Sequence, residues 1–421
     1  MFPDIAYPAV GPAVGVSYRF QRRSLVRRAY SRGLVAAAAA SALVLSACGG
    51  GDDNNSSDNG SGGGSGGGSV TIGFFGAQTG PNAQLGINIP NGVELALEQH
   101  NAKSGVTQVK LIKYDTQGDP AQATNQAKKA VSDKVAAIVG PAFSGESKTA
   151  DPIFEEAGIP NVSPSATAVA LGQNGWKFWR RVLANDGVQG PGDADFIAKT
   201  LNAKNVAVID DQSEYGKGLG DAIRKQLGTN GVKVAVNDSI NPDASSFSST
   251  VNKVKPANPD VVFFAGYYSA AGKLVKQLKD GGVQGTFMSG DGTLDAQFIA
   301  GGGAAANGAL LSCTCSSAVG STDPAVQKFA TDYKAKFNAD PATYSAEGFD
   351  ATNAILQAVD AGKTDPSDIN DFLAKIDFKG VSKQIKFDQN GELANDLLFI
   401  TEVKDGKLAF LGDTTQAKPS A

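Results

Sequence analysis

From Val70 onward, short apolar runs rich in Val, Ile and Phe alternate with stretches whose apolar residues recur at helical spacing. The runs VTIGFFG (70–76), VKLIKYD (109–115), VAAIVG (135–140) and IPNVS (159–163) read as strands. So do NVAVID (205–210), PDVVFFAG (259–266), TFMSG (286–290) and GALLSC (308–313). Helices fill the gaps. The best signalled covers 120–134: Asp119 can cap it, Pro120 suits its first position, and Ala123, Ala127, Ala130 and Val131 share one face. Such alternation predicts parallel sheets covered by helices on both faces. The strands are too many for one compact sheet of usual size, so the pattern predicts two α/β lobes. GFDATNAILQAVDAG (348–362), QIKFDQNG (384–391) and LLFITEVKDGK (397–407) add helices and then a strand pair. Asn390-Gly391 and Asp405-Gly406 suit hairpin turns.

The first seventy residues follow a different pattern. Arg19, Arg22, Arg23, Arg27, Arg28 and Arg32 precede an apolar run, GLVAAAAASALVLSA (33–47), with no acid among them. A basic stretch, a short apolar core and small residues read as a secretory signal (1–47), although the part before Arg19 is long for one. The run is shorter than the ~20 residues of a membrane span. It ends in Leu45-Ser46-Ala47-Cys48, which resembles the bacterial lipobox and makes Cys48 the expected lipidated residue. A chance cysteine in an Ala-rich tail is the bland alternative; the charge, apolar core and small residues all favour the signal. GGGDDNNSSDNGSGGGSGGGS then forms a flexible tether, so 48–69 is expected to be a linker.

Composition removes several classes of function. The net charge is −4 with both signs spread along the chain, so no basic stripe marks a nucleic-acid partner. The single histidine, His100, argues against a His-rich metal site and an ordinary Ser-His-Asp hydrolase. It falls near the C-terminal end of a predicted helix, LALEQHNAKSG (95–105), where a cation suits the helix dipole. GYYSAAGKL (266–274) has one residue too many between its glycines for a phosphate loop, and no Ser or Thr follows Lys273. GKGLG (216–220) is not a dinucleotide pattern, and FSGES around Ser144 lacks the earlier glycine of a nucleophile elbow. No enzyme and no cofactor are expected. Cys313 and Cys315 lie two apart at a strand end, hence on one face. A local disulfide and a pair of reduced, partly buried thiols both remain open; two thiolates alone make no zinc site.

Ligands of open parallel sheets sit beyond the C-terminal ends of the strands. There the chain carries Pro141-Ala142-Phe143-Ser144-Gly145, Pro164-Ser165-Ala166-Thr167, Asp211-Gln212-Ser213-Glu214-Tyr215-Gly216, Tyr267-Tyr268 and Asp291-Gly292. The set suits a zwitterion. Ser144 and neighbouring amides at a helix start can hold a carboxylate, and Asp291 can pair with an ammonium. The Ser165 backbone and Thr167 hydroxyl can complete the polar end, while Tyr215 and Tyr267 cover an apolar side chain. Each has an alternative: Ser144 and Thr167 as helix caps, the tyrosines as interlobe packing, Asp291 as a turn residue, Phe143 as core.

Seven stretches in order then resemble one family: VTIGFFGAQTGPNAQLG, KYDTQGDPAQA, VGPAFSGES, SPSATA, DDQSEYGKGL, FFAGYYSAAGKLVKQLKDGG and FMSGDG. From about Val70 to Asp413 the chain is similar to the periplasmic leucine/isoleucine/valine-binding proteins, the receptor branch of ABC import systems. The resemblance implies an α/β fold of two doubly wound parallel-sheet lobes joined by a hinge, the type I periplasmic binding fold. The lobes would be 70–185 with 316–392 and 186–315 with 393–421, with crossings near Asn185, Ser316 and Leu393. It implies a ligand carboxylate held at Phe143-Ser144-Gly145 and an ammonium held by Ser165, Ala166, Thr167 and Asp291, with Tyr215 and Tyr267 from the second lobe. Leu85 stands where the family often has Tyr, and Asp291 where it often has Glu. A disulfide of the leucine-binding members, between the 143 region and the 115–118 loop, has no cysteines here. The implied partners are a small amino acid and permease and ATPase subunits. The implied state is a periplasmic monomer touching the membrane only through its lipid anchor. Two readings stay beside transport of branched-chain amino acids: a ligand-sensing subunit for a receptor, and binding of an amide or another amino-acid-like solute. A cytosolic regulator of this fold would carry a DNA-reading helix-turn-helix where this chain has a signal.

Overall fold

The computed structural model describes residues 69–318, 321–393 and 397–420. The expected signal, Cys48 and the tether before Ser69 lie outside the described residues.

The first sheet contains β1 (Val70–Gly76), β2 (Val109–Asp115), β3 (Ala137–Val139), β4 (Asn161–Ser163) and β5 (Trp179–Arg181). Its order is β2-β1-β3-β4-β5, and every pair is parallel. The second contains β6 (Asn205–Asp210), β7 (Lys233–Ser239), β8 (Val261–Ala265), β9 (Thr286–Ser289) and β10 (Leu310–Cys313), all parallel. A hairpin, β11 (Asp377–Lys379) with β12 (Gln384–Lys386), stands apart. β13 (Phe399–Lys404) and β14 (Lys407–Asp413) then extend the second sheet antiparallel, giving β14-β13-β10-β9-β8-β6-β7. Asp405-Gly406 forms the turn between them, both residues at positive φ.

The helices are α1 (Ala83–Asn101), α2 (Pro120–Ser132), α3 (Ser144–Ala157), α4 (Asp186–Lys199), α5 (Glu214–Thr229), α6 (Ser248–Ala257) and α7 (Tyr268–Asp280). After them come α8 (Ala296–Gly302), α9 (Pro324–Phe337), α10 (Ser345–Asp360) and α11 (Pro366–Leu373). α2 starts as its sequence predicts: the Asp119 carboxylate accepts from the Ala121 and Gln122 amides, and Ala123, Ala127 and Ala130 are fully buried.

Both faces of each sheet are covered, as continuous apolar strands require. In β1, Phe74 packs on the side of α1 and α10, whereas Phe75 packs with α2 and α3 through Ala123, Ala127 and Phe154. In β6, Val206 and Val208 face α4 and α5, while Ala207 and Ile209 face α6 and α7. β5 and β7 carry no long apolar run. β5 is Trp179-Arg180-Arg181, buried throughout yet two-thirds arginine, and β7 sets Val234 and Val236 among partly or fully exposed residues; both are edge strands. His100 ends α1 and contacts Asp360 at the end of α10 (2.9 Å), joining the two helices.

The chain passes between the sheets after β5, after β10 and between β12 and β13. α9 and α10 pack on α1, so the segment after the second passage returns to the first sheet.

Candidate functional site

In both sheets the order reverses beside the first strand, between β1 and β3 and between β6 and β8. Connections from these pairs leave toward opposite faces and open a crevice at the strand ends. The two crevices face each other. Leu85 comes from the first turn of α1, which follows β1, Phe143 and Ser144 from the start of α3, which follows β3, and Ser165 from the turn after β4. Tyr215 follows β6, Tyr267 follows β8 and Asp291 follows β9. All seven line one cavity.

The polar end on the first lobe is the start of α3. Phe143, in extended conformation, is its cap residue and Ser144 its first helical residue, so Ser144 does not cap the helix. The first backbone bond of the helix joins Ser147 N–H to Phe143 O (2.9 Å), which leaves the Ser144 and Gly145 amides without intrahelical acceptors. The Ser144 hydroxyl accepts from Ala168 N–H (3.2 Å) and the Ser165 hydroxyl donates to Ala142 O (2.6 Å), locking the two loops together.

Opposite stands Asp291, fully buried on a short 3-10 turn. Tyr215 donates to its Oδ1 (2.7 Å), and the Tyr344 hydroxyl donates to Oδ2. The backbone of Asp291 does make a turn, Leu294 N–H to Asp291 O (3.0 Å), but the carboxylate is committed to the cavity. A Cβ at Gly292 would sit 2.8 Å from the Tyr215 ring and 3.0 Å from Gly266 O, so the tight approach of these loops needs glycine there. Burial pushes the Asp291 carboxyl up against the pull of its two phenol donors. Behind it, Asp186 at the start of α4 is pushed up to about 8 by burial and by Asp291. A cation in the cavity would relieve this concentration of buried acid.

Phe143, Tyr267 and Tyr215 form an aromatic row across the cleft, with ring centroids 5.2 Å apart at each step. They pack the lobes together and line the cavity at once. At the mouth, Lys148 on α3 pairs with Glu214 on α5 (2.7 Å), and Gln84 N–H donates to the Tyr268 hydroxyl (3.0 Å). Exposed pairs contribute about 0–1 kcal/mol, so buried contacts hold this arrangement.

Ala166 and Thr167 do not line the cavity. Ala166 O accepts from Arg181 Nη1 (2.8 Å), and Thr167 O accepts from Asp186 N–H (2.9 Å). Thr167 precedes a short 3-10 helix without capping it. Ile89, Ala142, Gly292 and Tyr344 line the cavity but were not foreseen. Ile89 lies one turn beyond Leu85 on α1, and Gly292 and Ala142 adjoin foreseen residues. Tyr344 comes from a connection between helices, which a search of strand ends does not reach.

Glu146 supports this end of the site from beneath. Its buried carboxyl takes hydrogen bonds from Phe143 N–H (3.1 Å) and the Thr116 hydroxyl, and burial pushes it up to about 8. The folded chain keeps a proton there that the unfolded chain releases near the usual 4.5. Its contribution to stability is therefore complete below that value and lost as pH rises toward 8. Glu146→Gln is expected to flatten the fall in melting temperature between pH 5 and 8; a variant as pH-sensitive as the parent would contradict this.

The sequence profile of the periplasmic binding protein family matches residues 69–407. The chain belongs to this family. Within it, the chain falls among the branched-chain amino acid binding proteins. It is 32% identical over 331 residues to a leucine-, isoleucine-, valine-, threonine- and alanine-binding protein of Pseudomonas aeruginosa, covering 78% of this chain and 88% of that one. A solved leucine-binding protein from Thermotoga maritima superposes with a TM-score of 0.77 at 30% identity, covering 82% of this chain and 98% of that one. The branched-chain amino acid transporter substrate-binding protein of Streptococcus pneumoniae, solved with isoleucine, superposes at 0.74 with 27% identity, covering 82% and 99%. Periplasmic binding proteins bind solutes outside the cytoplasm and are not enzymes, so the cavity is read as a solute site. Among the described residues of this periplasmic binding protein, no helix is long and apolar enough to cross a membrane. No cluster of three His, Cys, Asp or Glu among them could hold a metal ion.

Proposed function

We propose that the chain binds an amino acid with a branched apolar side chain, leucine, isoleucine or valine, and presents the closed form to the permease and ATPase subunits of an ABC importer. One observation carries this reading: a single cavity brings together Ser144, at the start of α3, and the buried carboxylate of Asp291, with Leu85, Ile89 and Phe143 among its walls. An anion-binding helix start facing a buried anion matches a molecule with a carboxylate and an ammonium. The relatives support the side-chain preference through what their names say they bind. In this reading Ser165, Tyr215, Tyr267 and Tyr344 complete the site.

Closure would turn the lobes 70–185 with 316–392 and 186–315 with 393–421 about the passages near Asn185, Ser316 and Leu393. A screen of the purified protein by thermal shift tests the function. Leucine, isoleucine and valine at a hundred times their dissociation constants are expected to add about 2.7 kcal/mol of stability. Stabilisation by amides or aromatic acids alone would replace this reading.

The chain is further read as a monomeric lipoprotein, secreted by residues 1–47 and held to a membrane surface through acyl chains on Cys48. Cys48→Ser is expected to move the protein from the membrane fraction to the soluble fraction of cells; unchanged partition would remove the anchor.

A further inference from the structure

β10 ends at Cys313, and the chain leaves the second sheet through Thr314, Cys315 and Ser316. A disulfide joins Cys313 to Cys315 and so closes a loop around Thr314. Thr314 is a fastening point. Its hydroxyl donates to Ala184 O (3.0 Å) in the passage after β5, and its carbonyl accepts from Lys383 Nζ (3.2 Å). Lys383 pairs with the buried carboxylate of Glu347 on α10 (3.1 Å), which also accepts from Ser316 N–H (2.7 Å). The bridged loop thus ties two of the passages to each other and to a helix of the first lobe.

Both cysteines are buried, at 2% and 4% exposure. Yet both line a second cavity, whose wall includes Leu294, Phe399, Leu408 and Phe410 and no charged side chain. Leu408 and Phe410 are exposed, so this cavity reaches the surface and gives a small uncharged reagent a path to the sulfurs. Cys315 N–H lies 3.0 Å from Cys313 Sγ, where it favours negative charge on that sulfur.

We propose that Cys313–Cys315 is a thiol–disulfide exchange site for a small uncharged dithiol, and that its oxidation state sets how firmly the passage holds the lobes and therefore the ligand affinity. The affinity part rests on the closing-clamp reading above; the exchange and the loosening of the passage do not. A thiolate of the dithiol attacks Cys315 Sγ, the S–S bond breaks, and Cys313 leaves with the electron pair and takes up the proton that the reductant gave up. The second thiol of the reductant then displaces Cys315 from the mixed disulfide. Two electrons pass to the protein, both cysteines end as thiols, and the reductant ends as a cyclic disulfide. Reduction removes the covalent constraint on Thr314, so the passage gains conformations and the closed arrangement loses its advantage.

The test uses folded full-length protein with and without dithiothreitol. Thiols are alkylated with iodoacetamide and the peptide carrying both cysteines is weighed. Amide exchange is followed at 182–185 and 314–316, and leucine affinity is measured by calorimetry. The expected result is two added alkyl groups, faster exchange at both passages and leucine binding weaker by about five-fold or more, all reversed on reoxidation. The double variant Cys313→Ser with Cys315→Ser should match the reduced protein and ignore dithiothreitol. Absence of alkylation without denaturant, or alkylation with unchanged exchange, overturns the proposal. Faster exchange with unchanged affinity overturns its link to the ligand. If the oxidised protein binds no amino acid, the ligand reading fails, while exchange at the passages still decides the site.

Discussion

Asp291→Ala is expected to weaken leucine binding by roughly 2–5 kcal/mol, thirty-fold or more. The argument starts from burial. The Asp291 carboxylate is 1% exposed and its solvation comes from two phenol donors, Tyr215 and Tyr344. An ammonium brought beside it in a low-dielectric cavity gains far more than at the surface. Removing the carboxylate strands that ammonium without a counter-charge, the costly way to break a buried pair. The loss should appear in dissociation rather than association, because the charge is inside and not on the rim. The lobes themselves should fold as before, since deleting a buried acid whose carboxyl is already pushed up relieves a cost. Calorimetry on Asp291→Ala checks the effect; parent-like affinity would remove Asp291 from the site.

Gly86→Val is expected to destabilise the fold by about 3 kcal/mol or more. A Cβ at residue 86 would stand 1.5 Å from the Ala77 carbonyl oxygen and 2.6 Å from its carbon. These are backbone atoms at the end of β1, so no side chain can swing away. α1 must move off β1, and Leu85 beside it must leave the cavity wall. Melting temperature and leucine affinity should therefore fall together. A variant that melts and binds like the parent would show that α1 does not approach β1 this closely.

The strand ends were legible because all but the last of the apolar runs up to residue 313 stop abruptly at Gly, Asp or Ser, and a parallel sheet puts its chemistry there. Ser144, Tyr215, Tyr267 and Asp291 follow from that rule alone. Leu85 came from the family pattern and Phe143 from both. Tyr344 was not legible: it sits between α9 and α10 with φ of 68°, and no apolar run or glycine announces such a position. Nor were contacts set by distant pairing. Arg181 meets Glu392 (Nε to Oε2 2.8 Å) only because β5 forms the edge against which the turn at 388–392 folds, so neither residue carries a local signal. Asp186 reads as an ordinary first-turn helix acid; only the packing of α4 behind Asp291 buries it. The state of Cys313 and Cys315 was open because spacing permits a bridge without requiring one.

The central claim is that the cavity recognises both ends of a zwitterion. Calorimetry with leucine, 3-methylbutanoate and 3-methylbutylamine tests it, since the two analogues keep the branched chain and lack the ammonium or the carboxylate. Tight binding of leucine with at least about hundred-fold weaker binding of each analogue is predicted. Binding of either analogue as tightly as leucine would contradict it.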